Sequence, residues 1–442
     1  MNIKNYLLSL CAGVFSFALL LTACGAGGET SSPASTTTEA QSSASATTEV
    51  SASAASTTSA TQSDNLQTTL TTVKKTTTKS QTKATSKPTN KPPAKREYFS
   101  SAVGMWYTVW WDSKAQDEKY YNHHWIKETR VKPIKHGYYA TDDTAKLKDD
   151  FTYFNRIGID YLLLDDTNNH LADEGNIASH INACFKMAKQ LGSKNAPELC
   201  FGGGSPLLNS NEPGMIAEMD IFYGYATAYK DNTFFWKGKP LFVNFNIPKN
   251  YGWQDPRGRF TMRPAAGHTS EGKGYTQKYN LDKTGMYGWV FDYQYSTSEV
   301  YGITPGWSRS HNGLSYGSPP LSRKNGELYQ QEWLKAIKRK PEMIVIASWN
   351  DHAEETGIEA VELLEPIDGR GQEDPFYYQK ITEGYLALKT GYLDGWYYRA
   401  ESQKQVYQYK GGKLVAVPSA PAKAAVIVVP DDYYSWAGIP RV

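Results

Sequence analysis

The residues whose types and spacing invite chemistry lie in IVIASWNDHAEETGIEA, residues 344 to 360. An apolar, β-branched run ends there in Trp349 and Asn350, and Asp351, His352, Glu354, Glu355 and Glu359 follow. If the chain turns helically after the run, Asp351 and Glu354 share one face with Cβ atoms about 5 to 6 Å apart, and Glu355 points elsewhere. Two carboxyls at that range adopt different protonation states, because proximity and burial push one pKa up while the other stays ionised. Glycoside hydrolysis uses such a pair. One protonates the departing oxygen and the other activates a nucleophile, with retention at about 5 Å separation and inversion at about 6.5 to 9.5 Å. Acids that open a helix also serve simply as caps and dipole partners. Trp349, Asn350 and His352 around the pair weigh toward a sugar site, and all three are candidate substrate contacts.

A strand must carry these acids, and the chain offers several. Apolar runs at 102–111, 158–166, 197–204, 239–246, 285–295 and 343–350 read as strands, and HGYYAT (136–141) and VYGITPGW (300–307) offer two more. Helical patterns lie between them at 142–157, with Asp142 or Asp143 as cap, and at 176–191, 326–338 and 374–389. Alternation of this kind predicts an α/β fold with a parallel sheet. Most of the strands end in polar, aromatic or Gly residues, the pattern of a (β/α)8 TIM barrel whose site gathers at the C-terminal strand ends. A doubly wound sheet is the alternative, but GGGS at 202–205 has neither the phosphate-loop nor the dinucleotide spacing. The glycines read as close backbone packing. From residue 391, VYQYKGGKLVAV and AAVIVV alternate like a small β appendage.

Other strand ends should face the same mouth. Asp165 and Asp166 follow YLLL as candidate sugar ligands, as a substitute base, or as strand-end partners of loop amides; together they could hold calcium. Trp110 and Trp111, before Asp112, are candidate stacking platforms. Asp292 closes the run at 285–295, and TPGWSRSHN supplies Trp307, Arg309, His311 and Asn312. His123 and His124 read as a polar surface loop. No HExxH or paired CxxC motif occurs, so a metal hydrolase is not expected. A serine nucleophile is not expected either.

The stretch SWNDHAEETGIE resembles the W-N-E-W-x-E-G-T-x-I-E signature of the family 99 glycoside hydrolases, the endo-α-mannosidases and their relatives. It is also similar to the W-N-D-x-x-E of the family 71 α-1,3-glucanases. GMWYTVWWD, RIGIDYLLLDDTN, FWKGKPL and TPGWSRSHN extend the resemblance over roughly residues 100 to 390. It implies a cofactor-free (β/α)8 hydrolase of α-linked glycans, α-mannan or α-glucan in type. Glu354 matches the general acid and Asp351 the second carboxylate, which in the mannosidases takes a proton from the substrate's own 2-hydroxyl and in the glucanases serves a water. This chain departs from family 99 in Asp351 for Glu, His352 for an aromatic residue and Glu355 for Gly.

The chain begins with Lys4 and a short apolar run that read as a secretory signal, residues 1–23. Leu21-Thr22-Ala23-Cys24 resembles a bacterial lipoprotein processing box, which implies lipid on Cys24 and an extracytoplasmic, membrane-anchored protein. Residues 24–97, rich in Ser, Thr, Lys and Pro and devoid of aromatics, cannot bury enough apolar area to fold and read as a disordered linker. The rest divides into a hydrolase-like domain at 98–390 and the β segment at 391–442. It holds 55 of the 58 aromatic residues, as core or as sugar platforms. Residues 97–442 carry 38 basic and 41 acidic residues, a balance that makes nucleic acid an unexpected partner. Cys184 and Cys200 are left to form a disulfide or stay free. The expectation is a monomeric surface glycosidase; the rival class is a glycan-binding lipoprotein that kept the barrel and lost turnover.

Overall fold

The computed structural model describes residues 97–167, 176–203, 212–244, 254–265, 298–309, 320–370, 374–433, 435 and 441–442. The expected signal, Cys24, the linker to residue 96 and the run at 285–295 lie outside them. Among the described residues no helix is long and apolar enough to cross a membrane.

Among the described residues the central sheet has seven parallel strands, β1 Ala102–Thr108, β2 Tyr161–Asp166, β3 Glu198–Gly203, β4 Lys239–Asn244, β5 Thr261–Pro264, β6 Val300–Ile303 and β7 Met343–Ile346, and a two-residue antiparallel strand, Phe235–Trp236, beside β4. The order of the parallel strands is β5-β4-β3-β2-β1-β7-β6. Gly104 of β1 pairs with Tyr161 on one side and Val345 on the other, which puts β2 and β7 in register beside it. The sheet curls around an apolar interior and carries α1 Thr144–Ile157, α2 Ile177–Leu191, α3 Glu212–Ala228, α4 Glu327–Arg339 and α5 Tyr377–Thr390. This is the expected α/β TIM-type barrel.

Strand side chains alternate between two packed faces. Trp106, Tyr161, Leu163, Cys200, Val243 and Val345 fill the interior. Met105, Tyr107, Leu162, Leu164, Phe201 and Ile344 pack outward among the helices. Two glycines make the interior possible. A Cβ on Gly104 would lie 2.2 Å from the Tyr161 ring, and one on Gly202 would lie 2.1 Å from Trp106. Cys200 belongs to the interior and Cys184 to the outer layer, so the sheet separates them and both are free thiols.

Helix α1 shows how local sequence sets position. The Asp143 carboxylate accepts from the amides of Ala145 and Lys146 at 2.8 and 3.1 Å, and Gly158 stops the helix at φ +95°. The buried stripe between them includes Lys146, Leu147, Asp150, Phe151 and Phe154.

One expectation changes, and two further elements were not expected. HGYYAT is a turn region, in which Gly137 sits at φ +62° and Thr141 donates its amide to Trp111 O at 2.8 Å. Strand β5 is too short to read as an apolar run. Helix α3 contains Pro213, Gly214 and Gly224 and mixes apolar residues all round, so it lacks a 3.6-residue stripe.

At the C-terminus, β8 Tyr397–Ala400, β9 Val406–Lys410, β10 Lys413–Val417 and β11 Val426–Val429 form a second sheet in the order β10-β9-β8-β11. Gly411 and Gly412, at φ +56° and +80°, make the tight β9–β10 turn. Tyr385 of α5 donates to Val428 O at 2.8 Å, and the Val428 amide donates to Gln330 Oε1 of α4 at 3.1 Å.

Candidate active site

Beyond β7 the chain folds over the C-terminal end of the barrel in a single turn instead of a helix. The Asp351 amide donates to Ser348 Oγ, and Asp351 Oδ1 accepts the Glu354 amide, both at 2.9 Å. The amides of Thr356 and Gly357 donate to Asp351 O at 3.1 and 3.0 Å, and Glu355 reverses the chain at φ +53°. Glu355 is locked by Arg130, whose Nε donates to Oε1 at 3.0 Å, while Arg323 donates to the carbonyls of Glu355 and Gly357.

Glu354 is the more exposed of the two candidate acids, its side chain 22% open. Trp307 Nε1 donates to its Oε2 at 3.0 Å, and Arg309 Nη1 stands 3.6 Å from Oε1. The other arm of Arg309 donates to Glu128 Oε1 at 3.3 Å. Asp351 is only 2% exposed. Burial, and then the charge of Glu354, push its carboxyl well above the usual range against the opposing Glu354 amide. Asp165 continues the interior row of β2. Burial raises it to about 6, although the Thr167 hydroxyl and amide donate to its Oδ1 at 2.8 and 3.2 Å. Glu354 also raises it, and Trp110 hydrogen-bonds to it. Asp351, Glu354 and Asp165 therefore interact at one strand-end mouth.

A buried polar network supports the turn from behind. Lys146 is fully buried and bridges Asp150 and Glu359, standing 3.1 Å from Glu359 Oε1. Asp150 accepts from Tyr107 OH at 3.0 Å and Trp349 Nε1 at 3.1 Å. Glu359 accepts from Tyr139 OH at 2.9 Å and pairs with His352 Nε2 at 3.2 Å. Burial raises Asp150 to about 6 in spite of Lys146. Burial opposes ionisation of Glu359 too, but Lys146 and His352 outweigh it and hold that carboxyl at about 2. Two acids thus share one ammonium, and of the two Asp150 is the carboxyl that burial raises.

The structure gathers Trp110, Asp165, Trp307, Arg309, Asp351 and Glu354 at the mouth. Four residues expected to touch sugar are instead held in the protein. Trp111 stacks on Trp125 with centroids 3.9 Å apart and donates Nε1 to Asn350 O at 3.1 Å. Asn350 exchanges hydrogen bonds with the backbone of Thr108, and Trp349 and His352 belong to the Lys146 network. Asp166 lies in the outward row of β2, fully buried, while Asp292 and Asn312 fall outside the described residues.

Sequence reasoning passed over Glu128, Tyr139, Lys146 and Asp150. The signal for Glu128 was its i,i+4 spacing from His124, whose Nδ1 lies 2.9 Å from it. GLSYG at 313–317 was also passed over. It has the spacing of a serine nucleophile elbow, but Pro319 and Pro320 follow where that motif needs a helix, and the stretch lies outside the described residues.

No protein-family model and no curated protein matches the sequence. Solved structures do. The family 99 endo-α-mannosidase from Bacteroides thetaiotaomicron aligns with a TM-score of 0.50 at 15% identity, over 66% of this chain and 98% of that one. A structure of such an enzyme with bis-tris-propane aligns with a TM-score of 0.50 at 16% identity, over the same shares. The chain has the fold of these glycoside hydrolases.

Proposed function

We propose that the chain is a glycoside hydrolase of α-linked glycans, α-mannan or α-glucan in type, with Glu354 as general acid and Asp351 as general base. The observation that carries this reading is the convergence of Asp351, Glu354 and Asp165 at the C-terminal mouth of the barrel, where Glu354 and Asp165 raise the pKa of Asp351 and Glu354 raises that of Asp165. Such a cluster retains a proton at pH values where isolated carboxyls are ionised, as proton transfer to a glycosidic oxygen requires. Glu354 is the member open to a ligand, and Trp307 and Arg309 orient it. Burial draws the shared proton toward Asp351, so the reaction needs its passage to Glu354. The SWNDHAEET resemblance supports the same two residues. Carried with this proposal are the surface location, lipid anchoring through Cys24 and a monomeric state.

Hydrolysis of a panel of α-mannans and α-glucans, with product anomers followed by NMR, tests the reading and fixes the stereochemical course. Glu354→Gln and Asp351→Asn are each expected to lower turnover by about 10²- to 10⁴-fold. Full activity in both variants would falsify the assignment. A second reading, glycan binding without turnover, draws on the near-complete burial of Asp351 and the use of its Oδ1 by its own turn. Tight binding with no cleavage across the panel would select it.

A further inference from the structure

We propose that His123, His124 and Glu128 form a binding site for a divalent transition-metal ion of the zinc class, beside the carboxyl cluster. Both histidines lie on the π-helical segment Tyr121–Lys127, and π turns of this kind are frequent at functional sites. His123 Nδ1 is 3.3 Å from Glu128 Oε1 and His124 Nδ1 is 2.9 Å from Oε2. One ligand atom from each residue can be chosen so that all three lie within 4.8 Å of one another. Metal–ligand bonds of about 2.0 to 2.2 Å place tetrahedral donors roughly 3.3 to 3.5 Å apart, so small side-chain rotations complete the set. Two imidazoles with one carboxylate suit zinc, nickel, cobalt or copper better than calcium or magnesium. The His124 ring is held between Tyr120, stacked at 5.9 Å, and Trp110 at 4.6 Å. The His123 side chain is 57% exposed, which leaves room for water to complete the coordination.

Arg309 is the built-in competitor, because its Nη2 donates to the same Glu128 oxygen that His123 approaches. A cation at this site repels the guanidinium and releases that arm. The other arm of Arg309 lies 3.6 Å from Glu354. Metal occupancy is thereby coupled to the setting of Glu354, and this last step alone rests on the reading of Glu354 as the acid.

The test is calorimetric titration of the metal-stripped full chain with zinc chloride, which needs no substrate and so fails independently of the proposed activity. The wild type should show a saturable site that weakens at least tenfold in His123→Ala/His124→Ala, with circular dichroism unchanged. The single His123→Ala variant, at an exposed position, should show a partial loss and guards against a folding defect. Arg309→Gln should bind zinc more tightly. No saturable binding, or equal affinity in the wild type and both histidine variants, overturns the site; unaltered affinity in Arg309→Gln overturns its link to Glu354.

Discussion

Replacing Lys146 by Met keeps an unbranched apolar stem of similar bulk and removes the ammonium, and it should destabilise the barrel more than any exposed charge change. Lys146 is fully buried, and it is the cation shared by Asp150 and Glu359. Losing it leaves two buried carboxylates facing one another, which costs about 3 to 5 kcal/mol when one partner of a buried pair is deleted. The sign of the pH dependence follows from the two acids. In the wild type, Glu359 at about 2 contributes stability that is present above its unfolded pKa and is lost as pH falls toward 2. Asp150 at about 6 works the other way, because the folded state binds more protons than the unfolded one between roughly pH 4 and 6. In the variant both folded pKa values rise, so stability increases as pH falls and the gap to the wild type narrows from pH 7 to pH 5. Urea denaturation followed by tryptophan fluorescence at the two pH values measures it. Adding Asp150→Asn to Lys146→Met should recover part of the loss at pH 7, because one uncompensated charge is gone. A loss below about 1 kcal/mol, equal at both pH values, would refute the argument that a buried ion pair holds this network.

Gly202→Ala should destabilise by about 1 to 3 kcal/mol, read as a lower urea midpoint, because its Cβ would enter the fully buried Trp106 ring of the barrel interior. Cys184 and Cys200 should resist a thiol reagent in the native protein and react once it is denatured, as peptide mapping would locate. Burial raises both thiols and leaves no thiolate to attack.

Much of this architecture is legible because a buried parallel strand writes itself as a continuous apolar run. YLLLDD and MIVIASWND show both the strand and the polar residues at its C-terminal end. Helix α1 is equally legible from Asp143, Gly158 and the stripe between them. Local pattern fails where tertiary contact decides. Lys146 and Asp150 have the i,i+4 spacing of a solvated surface pair, yet they lie on the same stripe as Leu147, Phe151 and Phe154, and the fold turns them inward. Tyr139 sits in a segment that alternates like a strand but serves to brace Asn350 and Glu359 through its hydroxyl. Trp111, Trp349 and His352 carry the residue types of a sugar platform. Their placement behind the loop depends on where the chain bends after Ile346, and no periodicity encodes that bend.

The bend also bears on the Asp at position 351. A side chain that accepts an amide three residues ahead must be short, and Asp fulfils that requirement where Glu, one methylene longer, does not favour it. Asp351 therefore acts as the capping residue of its own turn through Oδ1, and the turn in turn fixes Glu354 against Trp307 and Arg309. A carboxyl that caps in this way is anchored to the loop, with little freedom to reach into the mouth. Asp165 approaches from the neighbouring side of the barrel, on the interior row of β2, held by Thr167 and Trp110 and still ionisable near neutral pH at about 6. If that anchoring keeps Asp351 from serving as the proposed base, Asp165 is the carboxylate that would activate a water in its place. The choice between these two partners for Glu354 is set by backbone geometry at residues 351 to 354, and substitution of Asp165 against substitution of Asp351 separates them chemically.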